Sequence, residues 1–327
     1  MMIGKSPQLL ELLVELRRFA GCDAPVLIEG ETGTGKELAA RELHYAGVRA
    51  GGPFVPVNCG AIPDALVESE FFGHRRGAFT DAKTDHAGLV ELARGGSLFL
   101  DEVDSLSPKA QVTLLRFLQD SEYRPVGGGH ARAADVRVIA ATNSQLVELV
   151  RRGEFRSDLL YRLNPLYIRV PPLRERIGDV EELAQHFLRS AAKQLASPAK
   201  RWHPLALQLL SGHAWLGNVR ELESVVMRAC LQASADEVGP ADLTAALRGV
   251  PAHAASAPLL PADPQVACFA LAKSRAIALF EHDYLTALMR RAHGNVSEAA
   301  RLSKTERRQL GKLLKKRGIE PVQFGHG

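Results

Sequence analysis

Residues 25–47 read PVLIEGETGTGKELAARELHYAG, and the fold turns on how this stretch is read. A short apolar run ends in a glycine-rich turn closed by Lys36, and a helical pattern begins at once. Glycines permit the tight turn, backbone N–H groups and the helix N-terminus face phosphates, and Lys36 reaches the β/γ oxygens. Gly30, Glu31, Thr32, Gly33, Thr34, Gly35 and Lys36 are therefore a candidate phosphate cradle. Glu37 stands where the Ser/Thr that binds Mg²⁺ usually follows the lysine. Taken alone the pattern is only suggestive, so its surroundings have to support it.

Three more apolar runs do so: FVPVN (54–58), SLFLDE (97–102) and VRVIAATN (136–143), with helix-like segments between them. Strands spaced this way, apolar nearly throughout, imply a parallel sheet covered on both faces by helices. Ligands then bind at the carboxyl ends of the strands. The run at 97–102 ends in two acids, an arrangement in which Asp101 holds Mg²⁺ and Glu102 polarises an attacking water. Paired acids at a strand end are elsewhere a solvated turn or a helix cap. Downstream of a phosphate loop they point to ATP hydrolysis, with ATP and Mg²⁺ as cofactors.

After VPPLRER (170–176) the strand signals stop, and helical patterns follow at roughly 179–195, 204–213, 217–233 and 240–248. The expected organisation is an α/β ATPase subdomain (1–170), a helical lid subdomain (171–248), a Pro/Ala-rich linker (249–269) and a small all-α domain (270–327). There is no internal repeat.

Composition narrows the class further. The chain of 327 residues is 46% apolar, normal for a globular protein. No apolar run approaches the ~18 residues of a membrane span, and MMIGKSPQLLELL lacks a basic leader, so no membrane partner and a cytoplasmic location are expected. The four cysteines form no C-x-x-C pair and the eleven histidines no ligand spacing, which argues against a zinc site. From Glu281 onward there are ten Lys/Arg against five Asp/Glu. A basic tail on a near-neutral body fits a nucleic-acid module, with a charged, solvated helix pair as the plain alternative.

These motifs together resemble a sigma-54-dependent transcriptional activator, the bacterial enhancer-binding proteins of the AAA+ superfamily. The resemblance runs nearly end to end: GETGTGKE, FVPVNCGAI, ESEFFGHRRGAFTDA, GGSLFLDEVDSL, DVRVIAATN, FRSDLLYRL, VPPLRERIGDV, WLGNVREL and GNVSEAARL. That family carries Glu at the position of Glu37. By the same resemblance Asn58 restrains Glu102 until the nucleotide state changes, and Asn143 is sensor I, an amide that feels the γ-phosphate. Arg156 and Arg162 match fingers donated to a neighbouring subunit's ATP, which implies a homo-oligomer, from dimer to hexameric ring. Arg220 matches sensor II on the lid, with Leu216 in place of the usual proline.

In this family Gly77, Ala78, Phe79, Thr80, Asp81 and Ala82 form the tip that engages sigma-54 RNA polymerase holoenzyme. Asp81 replaces the family's second glycine, and activation is expected to survive, since Asp tolerates left-handed backbone angles. Residues 123–137 fill the place of a second loop that relays nucleotide state, although the glycines at 127–129 suit any surface turn.

The tail 293–319 has the spacing of a helix-turn-helix and resembles the Fis-type modules that end this family, with Val296, Ala299, Ala300, Leu302, Leu310, Leu313 and Leu314 as its apolar face. Arg307, Arg308, Lys312, Lys315 and Lys316 would then face double-stranded enhancer DNA. Because the AAA+ pattern opens at Ile3, control by a trans-acting regulatory protein, by expression level or by enhancer binding is expected. Two rivals remain: a DNA-binding regulator in which Asp81 has ended sigma-54 contact, and an AAA+ machine acting on another substrate.

Overall fold

The computed structural model describes residues 2–79, 82–195, 198 and 200–248, together with 285, 288, 289, 292, 294–303, 305, 310, 311 and 314. The chain divides into two units, Met1–Pro251 and Ala252–Gly327.

The first unit opens with α1 (Pro7–Ala20), started by Ser6, whose hydroxyl accepts the Leu9 N–H, and by proline at the first helical position. There follow β1 (Val26–Glu29), α2 (Lys36–Tyr45), β2 (Phe54–Asn58), α3 (Val67–Phe72), the short pair β3 (Gly73–His74) and β4 (His86–Ala87), and α4 (Leu89–Leu92). Next come β5 (Ser97–Asp101), α5 (Pro108–Asp120), the short pair β6 (Glu122–Tyr123) and β7 (Arg132–Ala133), β8 (Arg137–Thr142), α6 (Leu146–Arg151), α7 (Ser157–Leu163) and β9 (Leu166–Arg169).

Strands β2, β5, β8, β1 and β9 form one sheet in that order, and each neighbouring pair is parallel. Alternate residues serve opposite faces. Leu27, Leu98, Leu100, Val138 and Ala140 enter the core under α5 and α7, while Val26, Ile28, Phe99, Ile139 and Ala141 pack with the residues of α1 and α2. The four strands expected from sequence are present, and the parallel α/β class holds. A fifth, β9, had not been expected: Tyr167 and Arg169 are exposed on it, as befits an edge strand, so LYIR lacks the continuous apolar signal of the others.

Helices α8 (Asp179–Gln194), α9 (Pro204–Ser211), α10 (Asn218–Gln232) and α11 (Pro240–Arg248) enclose a separate core around the fully buried Trp215. Between them β10 (Arg201–Trp202) pairs in parallel with β11 (Glu237–Val238), a ladder too short to leave a sequence pattern.

In the second unit α12 (Val296–Leu302) is capped by Asn295, whose side chain accepts the N–H groups of Ser297 and Glu298. Ala299, Ala300, Leu310 and Leu314 are buried in its core with Leu285, Leu288, Met289 and Ala292. Leu302, expected on the apolar face, is instead 43% exposed at the end of the helix. Leu313 and the proposed DNA-facing Arg307, Arg308, Lys312, Lys315 and Lys316 lie outside the described residues.

Candidate functional site

Because the sheet is parallel, the carboxyl ends of β1, β2, β5 and β8 share one edge, and the phosphate loop, Asn58, Asp101 and Asn143 gather there. The loop is held by its own atoms. Lys36 Nζ donates to the carbonyls of Gly30 at 2.8 Å and Glu31 at 3.3 Å, and the buried Thr34 hydroxyl donates to the Glu31 carbonyl at 2.8 Å. Gly33 and Gly35 have φ of 79° and 98°, the left-handed region where glycine is favoured. Burial pulls the Lys36 ammonium below its ordinary pKa, against the attraction of Asp101, Asp104 and Glu102. Glu37 faces outward on α2, where its carboxylate takes Arg41 at 2.7 Å.

Strand register brings Asn58 and Glu102 together. Asn58 lies beside Asp101 across β2 and β5, so its side chain reaches the next residue, and Asn58 Nδ2 donates to Glu102 Oε2 at 3.2 Å. Asn58 Oδ1 meanwhile accepts the Gly60 N–H at 2.8 Å, which fixes which end of the amide faces the acid. Glu102 has φ of 55°, a strained angle for a residue with a β-carbon and one that clusters at functional positions. Asp101 Oδ1 accepts the Glu102 N–H at 3.0 Å, and no described residue bonds its second oxygen. Burial raises the Asp101 pKa, an electrostatic deficit that a cation would relieve. No group of three His, Cys, Asp or Glu with metal-ligand geometry occurs among the described residues. Burial pushes the Cys59 thiol, behind the site, up to about 12.

The lid closes against the loop. Asn218, fully buried and with φ of 54°, accepts the Leu173 N–H at 2.8 Å and donates to the Thr32 carbonyl at 3.0 Å and to Glu31 Oε2 at 3.1 Å. The Val219 N–H donates to the Gly33 carbonyl at 3.0 Å. A β-carbon at Gly33 would lie 2.3 Å from the Gly217 carbonyl oxygen and 3.1 Å from Arg220 Cβ. Arg220 thus stands at the rim of the phosphate loop, and in the turn before it the Asn218 N–H donates to the Trp215 carbonyl at 2.8 Å. Glu31 also receives Arg174 at 2.5 and 2.7 Å; this bond, followed by that from Asn218, holds its carboxyl below the ordinary value against partial burial.

Arg156 and Arg162 are both exposed, before and at the end of α7. Arg156 is braced by Asp158 at 2.8 and 3.0 Å, and its backbone N–H donates to the buried Gln111 Oε1 at 2.9 Å. Gln111 Nε2 donates to the carbonyls of Leu106 and Glu154, each at 3.0 Å.

The hairpin β3–β4 carries residues 75–85. Gly77 has φ of 81°, the Gly77 N–H donates to the Ala82 carbonyl at 2.8 Å, and Phe79, 40% exposed, packs on His74 with ring centroids 4.8 Å apart. Ala82 is buried, so it forms the base of the loop beside the exposed Phe79. Thr80 and Asp81 lie outside the described residues. The second loop, between β6 and β7, is joined to the first: Arg75 N–H donates to the Val126 carbonyl at 3.0 Å and Val126 N–H to the Gly73 carbonyl at 2.9 Å. A β-carbon on Gly127 would sit 2.9 Å from Ala78 Cβ.

Sequence reasoning had missed Asn218, Gln111, Asp104 and the buried pair Arg176–Asp179. Each is a polar residue whose partners come from elsewhere in the fold, and the only available signal was a polar letter on an otherwise apolar face.

Residues 2–169 match the sigma-54 interaction domain, residues 174–258 the AAA+ ATPase lid domain and residues 276–316 the Fis family of bacterial regulatory proteins. The chain belongs to the sigma-54-dependent transcriptional activators. It is 50% identical over 227 residues to the DNA-binding transcriptional regulator NtrC of a Bradyrhizobium strain, a match covering 69% of this chain and 47% of the relative. With the transcriptional regulatory protein GlrR of Escherichia coli it shares 38% identity over 322 residues, covering 98% of this chain and 69% of the relative. NtrX of Brucella abortus, solved in complex with ATP, superposes with a TM-score of 0.69 at 33% identity, covering 97% of this chain and 69% of that one. The chain spans about half the length of the first of these relatives. The phosphate loop, the Asp101–Glu102 pair and the lid of this activator make up an AAA+ ATPase domain. No helix among the described residues is long and apolar enough to cross a membrane.

Proposed function

We propose that this activator binds upstream enhancer DNA, assembles into a ring of up to six protomers, and uses ATP hydrolysis to convert closed complexes of sigma-54 RNA polymerase into open ones. Lys36 and the loop N–H groups would hold the β- and γ-phosphates of the substrate ATP, and Glu102 would accept a proton from the attacking water. Asn58 would hold Glu102 off until the γ-phosphate draws it away. Asp101 would hold Mg²⁺, which when bound neutralises phosphate charge. Arg156 and Arg162 would reach a neighbour's ATP, a contribution worth ~10³–10⁵ in rate where such fingers operate. Asn143 and Arg220 would sense the γ-phosphate from the sheet and from the lid.

The observation that carries this reading is the backbone junction between the Phe79 loop and the loop around Val126. An aromatic side chain on a braced two-loop support, in a domain built around an ATP site, can press on a partner when the nucleotide state changes. The basic tail would supply the enhancer contact, and a trans-acting regulatory protein the control. The test uses purified protein, enhancer DNA, sigma-54 polymerase, and duplex or premelted promoter. Open complexes on duplex DNA should require hydrolysable ATP, and Phe79→Ala should abolish them while ATP turnover continues. Brisk turnover by the unaltered protein without any open complex would overturn the proposal.

A further inference from the structure

The Asn143 amide is bracketed by two hydroxyls, and a third carboxylate of the site controls both. Asp104 sits in the 3₁₀ turn Val103–Ser105 that follows Glu102. Its Oδ1 accepts from the Thr142 hydroxyl at 2.8 Å and its Oδ2 from the Ser144 hydroxyl at 2.9 Å. Thr142 ends β8 and is fully buried. Both oxygens of Asp104 are thus directed at the residues on either side of Asn143.

Each hydroxyl has a competing acceptor. Ser144 Oγ lies 3.0 Å from Asn143 Oδ1, and Thr142 Oγ1 lies 3.1 Å from the Ser144 carbonyl. A hydroxyl has one proton, and a bond to a charged acceptor is roughly twice as strong as a neutral one. Both protons therefore go to Asp104. The Thr142 oxygen remains open to the Ser144 N–H, 3.1 Å away, and Asn143 Oδ1 is not held by its neighbour.

We infer that Asp104 is a positioning residue for sensor I: by drawing the Thr142 and Ser144 protons it keeps the Asn143 amide untied and aimed for the γ-phosphate, a role that rests on Asn143 sensing that phosphate as proposed above. An asparagine at 104 has the same shape but only one acceptor oxygen. Its amide donates into Ser144 Oγ, the Ser144 proton turns to Asn143 Oδ1, and the sensor is pinned to its own chain.

The test is steady-state ATP hydrolysis by Asp104→Asn, Asn143→Ala, the double variant of these two, and Asp104→Asn with Ser144→Ala, each checked for melting temperature and assembly. Asp104→Asn should lower kcat roughly tenfold or more, as misplacing a substrate-contacting group does, with KM for ATP within about threefold. In the Asn143→Ala background it should change kcat less than about twofold, because coupled residues are not additive. Adding Ser144→Ala to Asp104→Asn should restore most of kcat, since the hydroxyl that ties the sensor is gone; a merely structural role for Asp104 gives no such rescue. An Asp104→Asn loss that persists undiminished beside Asn143→Ala, or that Ser144→Ala fails to relieve, overturns the inference and leaves the sensor reading standing. If Asn143→Ala itself hydrolyses ATP at the unaltered rate, both fall.

Discussion

Replacing Asp179 by asparagine should be among the most damaging single changes outside the nucleotide site. Asp179 is 1% exposed and accepts the Lys5 N–H at 2.6 Å, the Ser6 N–H and hydroxyl each at 2.8 Å, and Arg176 Nε at 2.9 Å. The Arg176 guanidinium is equally enclosed and donates its other end to the Ile3 carbonyl at 2.7 Å. Asparagine keeps one acceptor oxygen, which can retain the backbone N–H groups. Its amide then meets Arg176 and the Ser6 hydroxyl, and the guanidinium is left buried without a counter-charge. Removing one partner of a buried ion pair costs about 3–5 kcal/mol. At roughly 2–4 °C per kcal/mol for a domain of this size, the melting temperature should fall by roughly 6–20 °C. Met2 packs among residues of α1, α2 and the sheet and Ile3 against the lid core, so freeing this segment should also raise KM for ATP. Arg176→Met added to Asp179→Asn should recover at least half of the loss, because an apolar side chain of similar length removes the stranded charge. Burial opposes ionisation of Asp179, yet the Ser6, Lys5 and Arg176 bonds hold its carboxyl below the ordinary value. Its stabilisation is therefore present above the unfolded pKa of about 3.9 and is lost as pH falls through the lower folded value. The gap between wild type and Asp179→Asn should be full at pH 7 and shrink below about pH 4. Calorimetry at several pH values measures all of this, and an Asp179→Asn protein melting within about 2 °C of wild type at pH 7 would refute the account.

Glu102→Gln should lower kcat by about 10²–10⁴ while leaving ATP affinity unchanged in a fluorescent-nucleotide titration; a loss of affinity instead would make Glu102 a binding residue. Gly33→Ala would combine a φ of 79° with a β-carbon 2.3 Å from the Gly217 carbonyl, forcing lid and loop apart. The same titration should show at least a tenfold loss, roughly the 1.4 kcal/mol that strain of this kind commonly exceeds, and unchanged binding would disprove the clash. Gln111→Leu strands the Leu106 and Glu154 carbonyls and the Arg156 N–H. Each costs about 1–3 kcal/mol when left buried without a partner, so urea unfolding should show a loss of at least about 2 kcal/mol.

Much of the ATPase domain was legible in the sequence because its signals are local. GETGTGK is a backbone conformation spelled in glycines, and SLFLDE is a buried strand that ends where its acids must emerge. Asn58 was placed with Glu102 by the family resemblance, and the parallel pairing of β2 with β5 brings the two strand ends to one edge. Strand β9 escaped because an edge strand alternates exposed with buried residues over only Leu166–Arg169. Asn218, Gln111 and Asp179 escaped for a different reason: each has a partner between 45 and 187 residues away in sequence, and nothing local distinguishes a buried amide or acid from a solvated one. Asp104 was read only as part of DEVDSL, since its role depends on which strand end folds back over it.

The residues that sequence reading missed are those that tie the recognised motifs to one another. The 3₁₀ turn after Glu102 has a non-glycine residue at φ of 55° at its head, Asp104 bonded to the end of β8 within it, and the Leu106 carbonyl bonded to Gln111 at its foot. Gln111 in turn holds the backbone of Arg156. Asn58, on the other side of Glu102, ends the strand whose continuation leads through α3 into the Phe79 hairpin. In the proposed mechanism a displacement of Glu102 toward a γ-phosphate would break the Asn58 bond and reload this turn at the same moment. Strand β8, which leads to Asn143, and through Gln111 the segment of Arg156 are both bonded to that turn, and the Asn58 bond on the hairpin side ends at the same carboxylate. Packed interiors pass such shifts on as discrete rearrangements rather than absorbing them. Coupling by the proposed mechanism would therefore require no long chain of contacts: the Glu102 carboxylate is one hydrogen bond from Asn58 and one turn from the elements that carry Asn143 and Arg156.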